Sequence, residues 1–462
     1  MIWGYSTAVV IPIRGYAVNL TALLAARAAD GRTVRIGLIG AGRFGTMFLG
    51  QARFIPGIHV AAVADVTPER ASMALALAGW PPLKAVARSL DQAIGSGGTW
   101  VTDDVFGLFE DSRLDVIIET TGNARAGITH ALAAISAGVS VIMVTVEADV
   151  LAGPLLARRA AEMGVVYSLA YGDQPAIICE MVDWARTCGF EVACAGKGTK
   201  YLPGYHAATP DTVWQHYGIE PERAKAAGMA PRRFTSIIDG TKSAIELAAV
   251  CNASGLKSPS NGLAFHPCGT HDLPRLLKPS FDGGRLEGMG QVEAVSSEER
   301  DGRHVAGDLR SGVFVTFKAP TLHSGRCFSE YGLINDSCGD YASLWRPYHL
   351  MGMELGVSVA WVACLGQPTG CPSAFAADVV AVAKHDLDRG TVLDGEGGYT
   401  VWGKMLPAAA SLAQKAVPIG LTDGLTLRRG VTSGQVLTQD DVIFDDADDA
   451  LALRRQMEAE FG

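Results

Sequence analysis

Three glycines, Gly40, Gly42 and Gly45, follow the apolar run Val34-Arg-Ile-Gly-Leu-Ile39 at the spacing that lets a backbone wrap a pyrophosphate. Gly40 permits a tight turn, Gly42 lets the main chain approach phosphate oxygens, and Gly45 lets the next helix pack closely with its N-terminus aimed at the anion. Arg43 and Phe44 lie inside the same loop. Glycines alone also make ordinary turns. What singles these out is their setting: a helical segment from Thr46 to Phe54, a second apolar run His59-Val-Ala-Ala-Val-Ala64, then Asp65, about 20 residues past the last glycine. An acid there accepts hydrogen bonds from both ribose hydroxyls and repels a 2′-phosphate, which predicts NAD with NADP as the lesser possibility. Asp65 also suits a cap for a helix starting near Pro68, and the two roles are compatible.

Proton chemistry needs other side chains. Lys242 follows Asp239 by three residues at an expected helix start, so the aspartate and the ammonium can share one face. Lys197 lies between two glycines in Ala195-Gly-Lys-Gly198, a turn-like setting that suits either docking of an anionic substrate or plain solvation. Arg346 offers an oxyanion fork, and His349 donates, accepts or shuttles a proton, although a lone histidine is often structural. Glu147 and Asp149 follow a strand expected to end beside a nicotinamide, where they bind substrate hydroxyls. Glu180 sits one turn into a helix after Pro175 and either binds a polar group or faces water. Carboxylates at Glu147, Asp173 and Glu180 are hard-cation ligands by type, yet no spacing demands a metal and none is expected. No Gly-x-Ser-x-Gly elbow or Cys-His signature points to a covalent nucleophile.

These residues must be positioned by alternating strands and helices. Leu114 to Gly122 reads as a buried strand, Ala124 to Ala137 as a helix, Val139 to Val144 as a strand, Leu155 to Met163 as a helix, and Val165 to Leu169 as a strand. Such alternation gives a parallel sheet with ligands beyond its carboxyl ends. Thr120, Thr121 and Gly122, Thr145 to Asp149 and Tyr171 to Asp173 then face one crevice. The expected class is α/β: an appended or disordered segment at 1–18, a Rossmann domain at 19–173, an α+β substrate domain at 174–380 and a small β-rich module at 381–462. In that last region Lys384 to Leu393 and Leu427 to Leu437 are related phrases, each pairing a basic residue with a glycine before Val-Leu.

The chain has 462 residues, 48% hydrophobic and 19% charged, with a net charge of −9. That is enough for two or three cores. A negative balance without basic tracts argues against nucleic acid and anionic membrane as partners. Nine cysteines without CxxC spacing suggest reduced thiols and a cytoplasmic setting.

Val146-Glu-Ala-Asp149, Gly172-Asp-Gln-Pro175, Ala195-Gly-Lys-Gly198, Ala208-Thr-Pro-Asp211, Ile238-Asp-Gly-Thr-Lys242 with Glu246, Asn252-Ala-Ser-Gly-Leu256 and Arg346-Pro-Tyr-His-Leu350 resemble the homoserine-dehydrogenase-like oxidoreductases. Among these the chain is most similar to the branch with deoxyxylulose-phosphate reductoisomerase-like enzymes, over about residues 19 to 440, and its tail resembles the SAF module of that branch. The resemblance implies substrate binding and proton transfer by Asp239 and Lys242, and a homodimer. Two departures matter. Homoserine dehydrogenases place a lysine near Val146-Glu147, and the reductoisomerase-like enzymes read Ala/Ser-Arg where this chain reads Ala-Asp65. The expectation is therefore an NAD-preferring oxidoreductase of a small polyhydroxylated or phosphorylated hydroxy or keto compound. NADPH-linked reductoisomerase activity, homoserine dehydrogenase activity and, from another class, a non-catalytic nucleotide-binding sensor are the alternatives.

Overall fold

A computed structural model describes residues 19–82, 87–110 and 113–462. The expected appended segment at 1–18 lies outside the described residues. Asn19 opens the described chain as an N-cap, its side chain accepting the Ala22 N–H at the start of the Leu20–Ala29 helix.

Six strands form the first sheet: β1 Val34–Ile39, β2 Ile58–Ala64, β3 Trp100–Thr102, β4 Val116–Glu119, β5 Ser140–Met143 and β6 Tyr167–Leu169. Their order is β3-β2-β1-β4-β5-β6 and every pairing is parallel. Helices cover both faces, so the strands are nearly continuous apolar runs rather than alternating ones. β1 has β2 on one side and β4 on the other. The order therefore reverses there, and a crevice opens beyond the carboxyl ends of β1 and β4.

The second sheet has order β11-β10-β7-β9-β8, from β7 Glu191–Thr199, β8 His266–Pro267, β9 Gln291–Ser296, β10 Val313–Lys318 and β11 Tyr341–Arg346. Central β7 runs parallel to β9 and antiparallel to β10. Ala195-Gly-Lys-Gly198 is the end of this strand, where the run Phe190 to Cys194 leads. A Cβ on Gly196 or Gly198 would stand 1.8 Å from the carbonyl oxygen of Glu293 or Leu309, so both glycines serve close backbone approach.

The Thr241–Ser254 helix lies between this sheet and a two-stranded ladder of β12 Ala377–Ala383 and β13 Val401–Pro407. It is buried from Ser243 to Asn252 on every side, as its run of small and apolar residues requires. Asn252 fixes the ladder: its Oδ1 accepts the N–H groups of Ala376 (2.8 Å) and Ala377 (3.0 Å). Beyond β13, β14 Thr426–Leu427 pairs with β15 Val442–Ile443. The related phrases of the tail face each other, Leu387 and Val431 exchanging both backbone hydrogen bonds at 2.9 Å.

One expected turn is also a helix. Val146-Glu-Ala-Asp149 is the first turn of Val146–Glu162, nine residues earlier than the expected start at Leu155, because Pro154 lies mid-helix and does not end it. The final helix, Asp449–Phe461, packs on that one. Its Arg454 is fully buried and bonds Asp378 of β12 and Glu458 at 2.6 Å each. Breaking a buried pair strands the partner's charge. Arg454→Met is expected to lower unfolding free energy by about 3–5 kcal/mol; an unchanged urea midpoint would show that this pair does not anchor the C-terminal helix.

Candidate active site between the two sheets

The glycine loop has the geometry an anion needs. Gly40 holds φ +96°, and a Cβ on Gly45 would come within 2.4 Å of the Gly40 carbonyl oxygen. Gly42 caps the Arg43–Ala52 helix without a side-chain hydrogen bond, and a Cβ there would meet nothing within 4 Å. The first N–H groups of the helix thus face an open approach, which fits a pyrophosphate. Arg43 is exposed beside it, and Phe44 is buried. Thr120 Oγ1 donates to the carbonyls of Ile39 (3.0 Å) and Gly40 (2.7 Å), stitching β4 to the loop. Gly122 N–H donates to Thr145 Oγ1 at 2.9 Å, and Thr121 and Thr145 both donate to buried Glu119.

Asp65 is more heavily engaged than its sequence position suggests. It accepts the N–H groups of Ala41 (2.8 Å) and Thr67 (2.9 Å) and is forked by Arg70 at 2.5–3.0 Å. Burial opposes its charge, but Arg70 and the two backbone donors hold its pKa below the ordinary aspartate value. The carboxylate stays ionised and braces the glycine loop. The N-cap of the Pro68–Leu77 helix is Thr67, so the expected capping role of Asp65 is not the one it takes.

Beyond β4 and β5 a cleft of about 560 Å³ separates the two sheets. Its first wall is Phe44, Thr120 to Gly122, Val144, Thr145 and Glu147; its second is Lys197 to Lys200, Lys242, Glu246 and His349. Lys242 Nζ donates to Glu147 Oε1 at 2.6 Å, and Lys197 is hydrogen-bonded to Glu246. Burial works against the Lys242 ammonium, yet Glu147, Glu246, Asp173 and Glu396 together raise its pKa above the ordinary lysine value. Burial likewise opposes the charge of Glu246, but Lys197 and Lys242 win and lower its pKa. Asp173 goes the other way: burial and Glu246 raise its pKa against the pull of Lys242 and His349. Burial and Glu147 push Glu396 to about 7. The cleft therefore holds a lysine kept as an ammonium beside one acid, Glu396, poised near neutrality.

Structure and expectation part at several residues. Lys197 lines the cleft as expected, but buried in β7 rather than exposed. Asp239 does not face Lys242. It is fully buried, its Oδ2 2.9 Å from Lys384 Nζ and its Oδ1 accepting the Thr241 N–H at 3.0 Å, because the chain turns at Gly240 (φ +92°) before the helix begins. Arg346 is bound to Glu354 and Tyr171, outside the cleft, and Glu180 is exposed and accepts the Tyr171 hydroxyl at 2.5 Å. Glu147, Asp173 and Glu180 thus do not converge, and among the described residues no group of three acids, histidines or cysteines is arranged around a metal. Asp149 points away onto Tyr167 (3.0 Å) and burial raises its pKa to about 7. His349 does line the cleft, its Nδ1 2.8 Å from the Ser311 carbonyl.

Glu246, Glu396, Ser236, Arg233 and Arg310 were not expected. Glu246 lies one turn from Lys242, a spacing visible in sequence. Glu396 sits in the loop before β13, where Gly397 (φ +66°) packs so tightly that a Cβ would be 2.1 Å from the Arg232 carbonyl oxygen. That contact brings Glu396 to the Ser236 hydroxyl. Arg233 and Arg310, at the cleft rim, have no carboxylate partner among the described residues.

Residues 172–355 match the family described as oxidoreductase DRL, catalytic domain, a span that includes Lys197, Lys242, Glu246 and His349. No curated protein matches the chain. Among solved structures, a probable dehydrogenase from Thermotoga maritima is 12% identical, with 72% of this chain and 90% of that one covered and a TM-score of 0.35. The myo-inositol dehydrogenase of Lactobacillus casei, in complex with NAD(H) and myo-inositol, is 13% identical over 62% of this chain and 71% of that one, TM-score 0.35. The apo scyllo-inositol dehydrogenase of Lactobacillus casei is 12% identical over 74% and 91%, TM-score 0.37. Among the described residues no helix is long and apolar enough to cross a membrane, and all nine cysteines are free thiols.

The raised Glu396 pKa has a thermodynamic consequence. The folded state binds this proton more tightly than the unfolded one, so its contribution is complete below the ordinary value of 4.5 and is lost as pH rises through about 7. Glu396→Gln is expected to flatten the fall of stability with pH across that window, read by urea unfolding at stepped pH. An identical slope in the variant would refute the assignment.

Proposed function

We propose that the chain is an NAD(P)-dependent oxidoreductase, NAD preferred, acting on the CH–OH or carbonyl group of a small polyhydroxylated compound with an anionic end, in the cytoplasm. One observation carries this reading: the switch-point crevice of a parallel sheet opens into the same cleft as a half-buried, charged lysine ringed by carboxylates. The match of residues 172–355 to an oxidoreductase catalytic domain supports it. The glycine loop would hold the pyrophosphate on the helix N-terminus, and Asp65, kept ionised at the end of β2, suits ribose hydroxyls rather than a 2′-phosphate. A bound nicotinamide supplies or accepts the hydride.

The residues of the chain manage charge and proton. Lys242, kept as an ammonium and oriented by Glu147, donates a hydrogen bond to the substrate oxygen and stabilises negative charge on it. Glu396, with a pKa of about 7, is matched to take the substrate's hydroxyl proton as the hydride leaves in oxidation and to return it to the carbonyl oxygen in reduction. Lys197 fixes Glu246, which with Asp173 gives acceptors for neighbouring substrate hydroxyls. Arg233 and Arg310 suit a carboxylate or phosphate at the rim.

Lys242→Met is expected to bind NADH within about twofold of the parent and to lose about 10²–10⁴ in kcat. Initial rates over polyols and sugar acids with each nucleotide test the rest. A clear preference for NADP would reject the NAD assignment. Nucleotide binding without turnover of any substrate in the parent would favour a sensor.

A further inference from the structure

A second cavity, of about 260 Å³, lies behind the Thr241–Ser254 helix, between the loop at 261–265 and the β12/β13 ladder. Gly240 and Ala244 line it, whereas Lys242 and Glu246 line the catalytic cleft. At 3.6 residues per turn these two pairs stand on opposite sides of the helix axis. The first turns of this helix are therefore the partition between two cavities, and on the second side they present only a hydrogen and a methyl group.

The second cavity has its own chemistry. Three rings line it, His206, Phe265 and Trp402: Trp402 stacks on His206 (centroids 3.7 Å apart, planes at 17°), and Phe265 is backed by Tyr201 behind the wall (3.9 Å, 16°). The Tyr201 hydroxyl joins the two stacks, 2.9 Å from His206 Nε2. His206 Nδ1 lies 2.7 Å from the Asp239 carbonyl oxygen, so Nδ1 carries a proton, and the neutral ring has Nε2 accepting from the Tyr201 hydroxyl. Burial, with Lys384 and Lys404 nearby, lowers its pKa in agreement. The charge in this lining is then Lys404. Its Nζ donates to Asn261 Oδ1 at 2.7 Å and has no carboxylate partner among the described residues, and burial lowers its pKa. An ammonium at the mouth of an aromatic-lined cavity, free of a carboxylate, is a ready partner for an anion. The wall is also held in a strained form. Phe265 has φ +50°, a position a non-glycine residue keeps only when its surroundings insist, and buried Glu293 accepts its N–H at 3.3 Å and that of Ala264 at 2.9 Å.

We propose that this cavity is an effector site for a small aromatic carboxylate, whose ring lies against the aromatic wall and whose carboxylate takes the Lys404 ammonium. Occupancy is felt in the catalytic cleft because the same two helical turns carry Lys242 and Glu246. The coupling rests on the functional reading above; the binding does not, since it needs neither nucleotide nor turnover.

Calorimetric titration of the full chain with benzoate and with indole-3-carboxylate tests the site, with benzamide and inorganic phosphate as neutral and non-aromatic controls. Saturable binding of a carboxylate is expected, weakened about tenfold or more by Lys404→Met and retained by Lys404→Arg. Saturating carboxylate is expected to shift the NADH dissociation constant by about fivefold or more, with the reciprocal shift when NADH is bound first. Absence of saturable binding, equal affinity for benzamide, displacement by phosphate alone, or indifference to Lys404→Met overturns the site. An unchanged NADH affinity overturns its role as an effector. If NADH does not bind at all, the functional reading fails, and the Lys404 dependence of benzoate binding still decides the site.

Discussion

A lysine ammonium enclosed by Glu147, Asp173, Glu246 and Glu396 is the constraint on which the rest of the site depends. Those acids come from four different parts of the chain: the helix after β5, the segment before the Gln174–Thr187 helix, the Thr241–Ser254 helix itself and the loop before β13. Removing so many charges from water is tolerable only if they compensate one another. Lys197, reaching from β7 to Glu246, supplies a second cation and lowers the excess of negative charge. The two sheets are thereby tied across the cleft by electrostatics as well as by packing, since the Lys242–Glu147 bond joins one side directly to the other.

How much of this was legible depended on how local the cause was. The first sheet follows from short-range pattern: apolar runs of strand length, glycines at turn spacing and helices between them gave β1, β2, β4 and β5 within a few residues. Lys197 reads as exposed because flanking glycines suit an open strand end or a solvated turn, yet it is buried. The glycines are there instead for the backbone of Glu293 and Leu309, which belong to β9 and to the loop before β10, about a hundred residues away. Asp239 was grouped with Lys242 by helical spacing. The helix begins only at Thr241, so the i, i+3 rule does not apply, and Lys384 from the far end of β12 claims the aspartate instead.

Glu396 had no signal at all. Its position depends on Gly397 meeting the Arg232 carbonyl, on Ser236 offering a hydroxyl, and on the β12/β13 ladder lying against the Thr241–Ser254 helix. None of these is visible in the local phrase Gly395-Glu-Gly-Gly398. The related phrases of the tail were visible, and the structure gives them a physical sense: Leu387 and Val431 bond each other reciprocally, so the repetition records two similar strand starts pairing face to face.

The C-terminal region therefore helps to build the cleft rather than standing apart from it. It supplies Glu396 to the cleft, Lys384 to Asp239 and Trp402 to the aromatic wall behind the central helix. Arg454, buried against Asp378 and Glu458, fixes the last helix to β12, and Asn252 fixes the central helix to the same strand. Close packing of that ladder on the central helix fixes Glu396 and Lys242 with respect to each other. The loop before β13 thus carries a carboxylate into the cleft, and the final helix that braces the ladder helps to place it without lining the cleft itself.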